Sequence, residues 1–435
     1  MLQAALAPEI LTEIPGPGSS ALAKRLRGVE SRNVTCLDPE PIFWERASGC
    51  NVWDVDRNRF VDLTAAFGVA NVGHAHPHVV AAIAEQSQRL LHGMGDVHPP
   101  AIKVQLLEAL VAHYPGGGPA RGVLSSSGSD AVETAIKTAL LATSKPGILA
   151  FKGAYHGLAF GALDTTWRED FRDPFASRLP ERTKFAPYGD LGSAARAIQE
   201  SPFPIGAVLV EPIQGRGGER VPEPGFLEGL AKLCREQDML LIADEIYTGF
   251  GRTGRWFACD HDDVVPDLLC VGKGMASGMP ISACLGREEV MDAWPVSRGE
   301  ALHTQTFLGH PASCAAALAC IETLEADGYL AHAATVGSQA LQDLVLETQD
   351  IDAVVEVRGK GLMIGIELAP SLSGPEVCTR ALERGVIALP SGSSGEVISI
   401  TPPLCIDAAT LAHALGIVLS VVRDLSNAND RTSST

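Results

Sequence analysis

Basic charge is scarce in this 435-residue chain: 34 Lys and Arg stand against 52 Asp and Glu, a formal net charge of -18 at pH 7. Binding nucleic acid calls for a net basic surface or a basic stripe, and the sequence has neither, so no nucleic-acid partner is expected. No apolar run approaches the length of a membrane span, and no membrane partner is expected. Met1–Ser20, with Glu9, Glu13 and three prolines, lacks the basic and apolar regions of a signal peptide, so a cytoplasmic location is expected. The ten cysteines, from Cys36 to Cys405, include no Cys-x-x-Cys pair, and several sit in apolar runs such as Ala283-Cys284-Leu285. Buried free thiols are expected in place of a disulfide framework or a zinc site.

The chain does have the composition of a globular α/β enzyme, with 46% hydrophobic residues, 20% charged residues and 44 glycines. Its length exceeds what one core fills, so two domains are expected. Val52–Leu63 alternates apolar and polar residues around Asp56-Arg57-Asn58, the pattern of a hairpin with one buried face. Ile205–Val210 and Met239–Ala243 are continuous apolar runs that end in acids, with helical segments between them. Parallel strands buried on both faces read this way.

Strands of that kind present ligands at their carboxyl ends. Asp244 closes one run. Lys273 follows the next, Leu268-Leu-Cys-Val-Gly-Lys-Gly274, where a lysine between two glycines is poorly placed for packing and well placed as a nucleophilic amine. From Asp130 onward, Ala131, Val132, Ala135 and Ile136 make one apolar stripe of an α-helix. Ser127-Gly128-Ser129 falls where that helix starts, and the free amides and positive dipole end of a helix N-terminus suit a phosphate. Tyr155, in the turn Ala154-Tyr-His-Gly157 after a short strand, offers a ring to stack on a flat cofactor. His74, His76 and His78 alternate but have no acidic or cysteine cluster beside them, so no metal site is expected. An amine, a carboxylate, a phosphate cradle and an aromatic lid are the four provisions of pyridoxal 5'-phosphate chemistry. Lys273 would form the Schiff base and Asp244 would keep the pyridine nitrogen protonated. Ser127, Gly128 and Ser129 would take the phosphate, and Tyr155 the ring face.

The blocks SGSDAVETAIK (127–137), AYHG (154–157), EPIQG (211–215), DEIYTGFGRTG (244–254) and GKG (272–274) resemble the class III aminotransferases. These form the fold type I pyridoxal phosphate family that includes ornithine, acetylornithine and ω-amino acid transaminases. The resemblance runs from Val52 to Pro403. It implies an α/β fold: a mostly parallel central sheet with helices on both faces, plus a small α+β domain formed by both termini. Residues 1–63 are expected to be an N-terminal arm and part of the small domain, 64–326 the large cofactor-binding domain, 327–425 the C-terminal small domain and 426–435 a disordered tail. The resemblance further implies a homodimer with shared active sites, in which Thr306 reaches the phosphate from the partner subunit. Ile246 packs the ring's other face, Phe67 walls the substrate pocket, and Arg358 grips a substrate carboxylate through its planar fork.

Three departures qualify the pattern. Tyr247 stands where many members have a Gln contacting the cofactor's phenolic oxygen, and it could donate there or point elsewhere. Gly309-His310-Pro311 replaces the usual Gly-Asn-Pro. Arg216 stands where ornithine- and aminobutyrate-type relatives often carry a Glu that covers the carboxylate-binding arginine, and at the substrate entrance it would favour a carboxylate-bearing substrate. The implied activity is ping-pong transfer of an amino group from an amino acid or amine donor to a 2-oxo acid. An amino acid racemase or epimerase on the same fold and a non-catalytic phosphate-ligand binding protein are the alternatives.

Overall fold

The structure, a computed structural model, describes residues 5–433. At its centre a seven-stranded sheet runs, edge to edge, Ala120–Ser125, Ser282–Arg287, Leu268–Val271, Leu240–Asp244, Ile205–Val210, Gly147–Phe151 and Thr183–Ala186. Ser282–Arg287 is antiparallel to both its neighbours, and the other pairings are parallel.

Successive residues of the apolar runs alternate between two cores, and this explains why the runs contain no polar member. Ala207, Leu209, Ile242, Leu268 and Cys270 pack with Ala131, Val132, Ala135 and Ala139 of the helix Gly128–Thr143 on one face. Val208, Val210, Leu241, Ala243, Leu269 and Val271 join the main core on the other face, where the helix Phe226–Glu236 supplies Leu230 and Cys234. All of the described cysteines except Cys36 are buried, as small core side chains.

Asn51–Asp54 pairs antiparallel with Arg59–Asp62, and Val386–Ile387, from far along the chain, joins Arg59–Asp62 in parallel. The hairpin turn closes on Asp54, whose Oδ1 accepts from the amides of Asp56 and Asn58 at 3.0 and 2.8 Å. Val354–Lys360, Met363–Leu368, Val397–Ile400 and Leu389–Ser391 form a separate antiparallel sheet. Arg252, 1% exposed, donates to the carbonyl of Leu362 and to Asn71 Oδ1, tying the segment after Asp244 to both ends of the chain. Two of the alternating histidines turn to different partners, His74 to Asp62 at 2.8 Å and His78 to Glu322 at 2.7 Å.

The structure departs from the sequence reading at the C-terminus. The final helix runs Ala408–Ser433, into the stretch 426–435 that the sequence reading left as a disordered tail. Asn429 Nδ2 donates to the carbonyl of Ser371 at 2.9 Å, which anchors the extension. Residues Ala408–Asn429 of this helix are long and apolar enough to span a membrane, against the sequence expectation. The apolar side chains are accounted for by packing, since Leu411, Ala414, Leu415, Val418, Leu419, Val421 and Val422 belong to the main core.

Candidate active site

Leu240–Asp244 and Leu268–Val271 are parallel neighbours with Asp244 in register with Cys270, so Asp244 and Lys273 emerge at the same sheet edge. Side-chain alternation separates the two consecutive acids. Glu245 turns away and accepts from the amides of Ala258 and Cys259 at 2.9 and 2.8 Å. Asp244 turns to a cavity of about 520 Å³ lined also by Ser127, Gly128, Ser129, Tyr155, Ile246 and Lys273. Seven residues nominated from four separate sequence blocks thus meet around one space.

Lys273 has φ 42°, a left-handed conformation that costs a lysine about 1 kcal/mol or more and is kept where the surroundings dictate it. Burial lowers its amine to about 8, against the opposing pull of Asp244 and Glu211. An amine in that range is partly neutral near pH 7, which nucleophilic attack requires.

Asp244 Oδ1 accepts from the amide of Ile246 at 3.1 Å, and Oδ2 lies 2.7 Å from His156 Nδ1. A carboxylate only accepts, so Nδ1 carries the proton. His156 is buried and fixes the direction of Asp244. Glu211 is a second positioning acid, accepting from the amides of Tyr155 at 2.9 Å and Gly215 at 3.0 Å, with burial pushing its carboxyl up to about 7. Sequence reasoning assigned no role to His156 or Glu211. The only signal was that His156 follows Tyr155 in one conspicuous turn and that Glu211 heads another.

The helix Gly128–Thr143 is capped by Ser127, whose Oγ accepts from the amide of Asp130 at 3.3 Å. The amides of Gly128 and Ser129, in the first turn, have no intrahelical acceptor and remain available to an anion. Ser129 Oγ accepts from the amides of Leu158 and Ala159 at 3.1 and 2.9 Å, which ties the Tyr155 turn to the helix and leaves the hydroxyl proton to donate. A Cβ on Gly128 would come 2.9 Å from Ile246 Cδ1, so glycine is what lets the helix end approach the Ile246 wall. This donor set, with an amine and an oriented carboxylate across the cavity, fits pyridoxal phosphate.

The other nominated residues divide. Arg216 is exposed at the cavity mouth, its guanidinium 5.3 Å from the Tyr155 ring and 5.9 Å from the Phe171 ring. Phe67, 58% exposed, sits in the left-handed turn Ala65–Gly68 and borders an adjoining cavity of about 490 Å³ that also reaches Lys273, Arg216, Glu219 and Tyr247. Thr306 is exposed in the turn before the helix Pro311–Ala326 and lines neither cavity.

Arg358 lies inside the strand Val354–Lys360, opposite Gly365, and the turn that follows falls at Gly361-Leu362. Its Nε and Nη2 donate to the carbonyl of Gly218 at 2.9 and 2.6 Å, and Nη1 pairs with Glu356 at 2.6 Å and with Glu367. The guanidinium thus bonds three acceptors within the chain, as a strut between segments, and borders neither cavity.

Residues 35–422 match the family described as Aminotransferase class-III. The chain is 40% identical over 445 residues to a 4-aminobutyrate aminotransferase of Mycobacterium leprae, covering 96% of this chain and 98% of that one. It is 38% identical over 385 residues to an acetylornithine aminotransferase of Methanopyrus kandleri, covering 88% and 95%. Among solved structures it is similar to the ornithine aminotransferase of Toxoplasma gondii, described with partial occupancy of PLP at its active site, with a TM-score of 0.86 at 28% identity and coverage of 94% and 96%.

Proposed function

The chain belongs to the class III aminotransferases and is a pyridoxal-phosphate-dependent transaminase of fold type I; within that activity we propose how its residues divide the work. The observation that carries the reading is the delivery of Lys273 and Asp244 by adjacent parallel strands into one cavity with a helix N-terminus.

Ser127, Gly128 and Ser129 would hold the cofactor phosphate, Tyr155 and Ile246 its ring faces, and Asp244 its ring nitrogen. When bound, the cofactor supplies an electron-withdrawing ring that makes the substrate Cα–H acidic. Lys273 would hold the cofactor's aldehyde carbon through Nζ and, when free, would carry a proton to and from the substrate Cα. Asp244, aimed by His156, would keep a proton at the ring nitrogen. The net exchange is an amino group for a carbonyl oxygen: the donor ends as its oxo product and a 2-oxo acid as the new amine, the water taken up in the first half being returned in the second. The test is a donor and acceptor panel: amino transfer to a 2-oxo acid supports the assignment, whereas inversion of an amino acid with no oxo acid present would contradict it.

Arg216 is the cation at the cavity mouth, and we assign it the substrate carboxylate, replacing Arg358 in that role. Replacing Arg216 by Glu is expected to raise KM at least about tenfold for carboxylate-bearing donors and much less for simple amines, since a paired charge becomes a repulsive one. Equal changes for both donor classes would count against it.

The working unit we propose is a homodimer. Thr306 lies outside the cavities of its own chain, beside exposed apolar residues that include Leu91, Met94, Val97, Leu302 and Phe307. Thr304 donates to Asp96 at 2.8 Å and the Phe307 ring lies 5.3 Å from His92, so the two segments form one patch suited to a second copy. Sedimentation at the mass of one chain would contradict this. A large domain of residues 64–326, a small domain drawn from both termini and a cytoplasmic location complete the proposal.

A further inference from the structure

We propose that Tyr247 serves the reaction through the face of its ring, as the rest on which the Lys273 amine lies whenever that amine is unbonded, and that its hydroxyl takes no part in holding the cofactor. The proposal rests on the transaminase reading, in which Lys273 is freed and rebonded in each half of the cycle.

Three observations carry it. Lys273 Nζ lies 3.9 Å from the centroid of the Tyr247 ring, within the range at which an ammonium is drawn to the negative face of an aromatic ring. The hydroxyl is engaged elsewhere, 2.9 Å from Thr401 Oγ1. The ring is also held on both edges by backbone: a Cβ on Gly68 would come 2.3 Å from Cε2, and one on Gly215 would come 2.2 Å from Cδ1. Two glycines therefore form a slot that the ring fills and from which it cannot swing to present its hydroxyl to the cavity. Both cavities that reach Lys273 are walled by Tyr247 as well, so the ring borders the same space as the amine.

The need for such a rest follows from the charges around the amine. Asp244 and Glu211 favour the ammonium, Arg216 disfavours it, and burial disfavours it most. A freed lysine in this setting has no hydrogen-bonded counter-ion of its own among the described residues, and a π face can support its charge without binding it so tightly that it cannot return. The amine stays beside the substrate carbon, where a proton carrier must be.

The experiment uses the full-length apoprotein, so that neither cofactor nor turnover enters. The acetylation rate of Lys273 by acetic anhydride is followed against pH and read by peptide mass spectrometry, giving the apparent pKa of the amine. Tyr247→Phe keeps the ring and is expected to match the wild type. Tyr247→Leu removes it and is expected to lower the apparent pKa by about one unit, the tenfold change appropriate to a desolvated cation–π contact. Tyr247→Met takes the place of the leucine variant if that one does not fold. A leucine or methionine profile superimposed on the wild type overturns the proposal. So does a raised pKa, which would make the ring only a barrier to water, or a phenylalanine variant that shifts as far as leucine. Failure of the transaminase assignment is read separately, from amino transfer by the wild-type holoenzyme.

Discussion

Replacing Lys273 by alanine is expected to reduce turnover by about 10⁴-fold or more and to abolish covalent attachment of the cofactor, while the protein remains folded. Among the described residues that line the cavity Lys273 carries the only amine, and it is also the proposed proton carrier; loss of a general base alone typically accounts for about 10²–10⁴-fold. Stability should be nearly untouched. Lys273 makes no salt bridge among the described residues, and its burial lowers its amine to about 8, so the folded state holds the charge at a cost that alanine does not incur. Alanine inherits the φ of 42°, as unfavourable for it as for lysine, so strain does not change either. Stopped turnover with an unchanged melting temperature is the expected pair of readings. A large fall in melting temperature would mean that Lys273 is a structural group.

Asp244→Asn should give the second largest effect, a fall in kcat of about 10²–10³-fold. Asparagine preserves the shape but has one acceptor oxygen where the carboxylate has two, so it gives up the bond from the amide of Ile246 and, with it, the charge that keeps a proton on the ring nitrogen. Because His156 Nδ1 faces this position from 2.7 Å, the amide will be held with its oxygen towards the histidine, and the loss should be electrostatic, not positional. The expected signature is a reduced kcat with donor KM changed by less than about threefold. A rise in KM at constant kcat would place Asp244 in substrate binding.

Much of the fold could be read from the sequence because its signals are local. Ile205–Val210 and Leu268–Val271 contain no polar residue, and the structure shows why: alternate side chains enter two separate cores. Ser127 announces a helix start because a hydroxyl there accepts from a first-turn amide. What could not be read depends on contacts between distant segments. His156 and Asp244 are 88 residues apart, and only the convergence of two strand ends makes them partners. Arg358 sits in a glycine-rich stretch, and nothing local indicates that Glu356, Glu367 and the carbonyl of Gly218 pair with it. Tyr247 was visible as a departure from the family pattern, but the slot between Gly68 and Gly215 that decides what the ring can do is built from three loops. The final helix continued past its apolar stripe because Asn429 found a carbonyl to bond, a contact that polarity alone does not reveal.

The central claim is that Lys273 is the amine that carries the cofactor. The most direct measurement is borohydride reduction of the holoenzyme followed by proteolysis and peptide mass mapping. The account predicts loss of the visible absorbance together with a single pyridoxyl addition on Lys273. The addition on any other lysine, such as Lys152 near the same turn, or no addition at all, would contradict it.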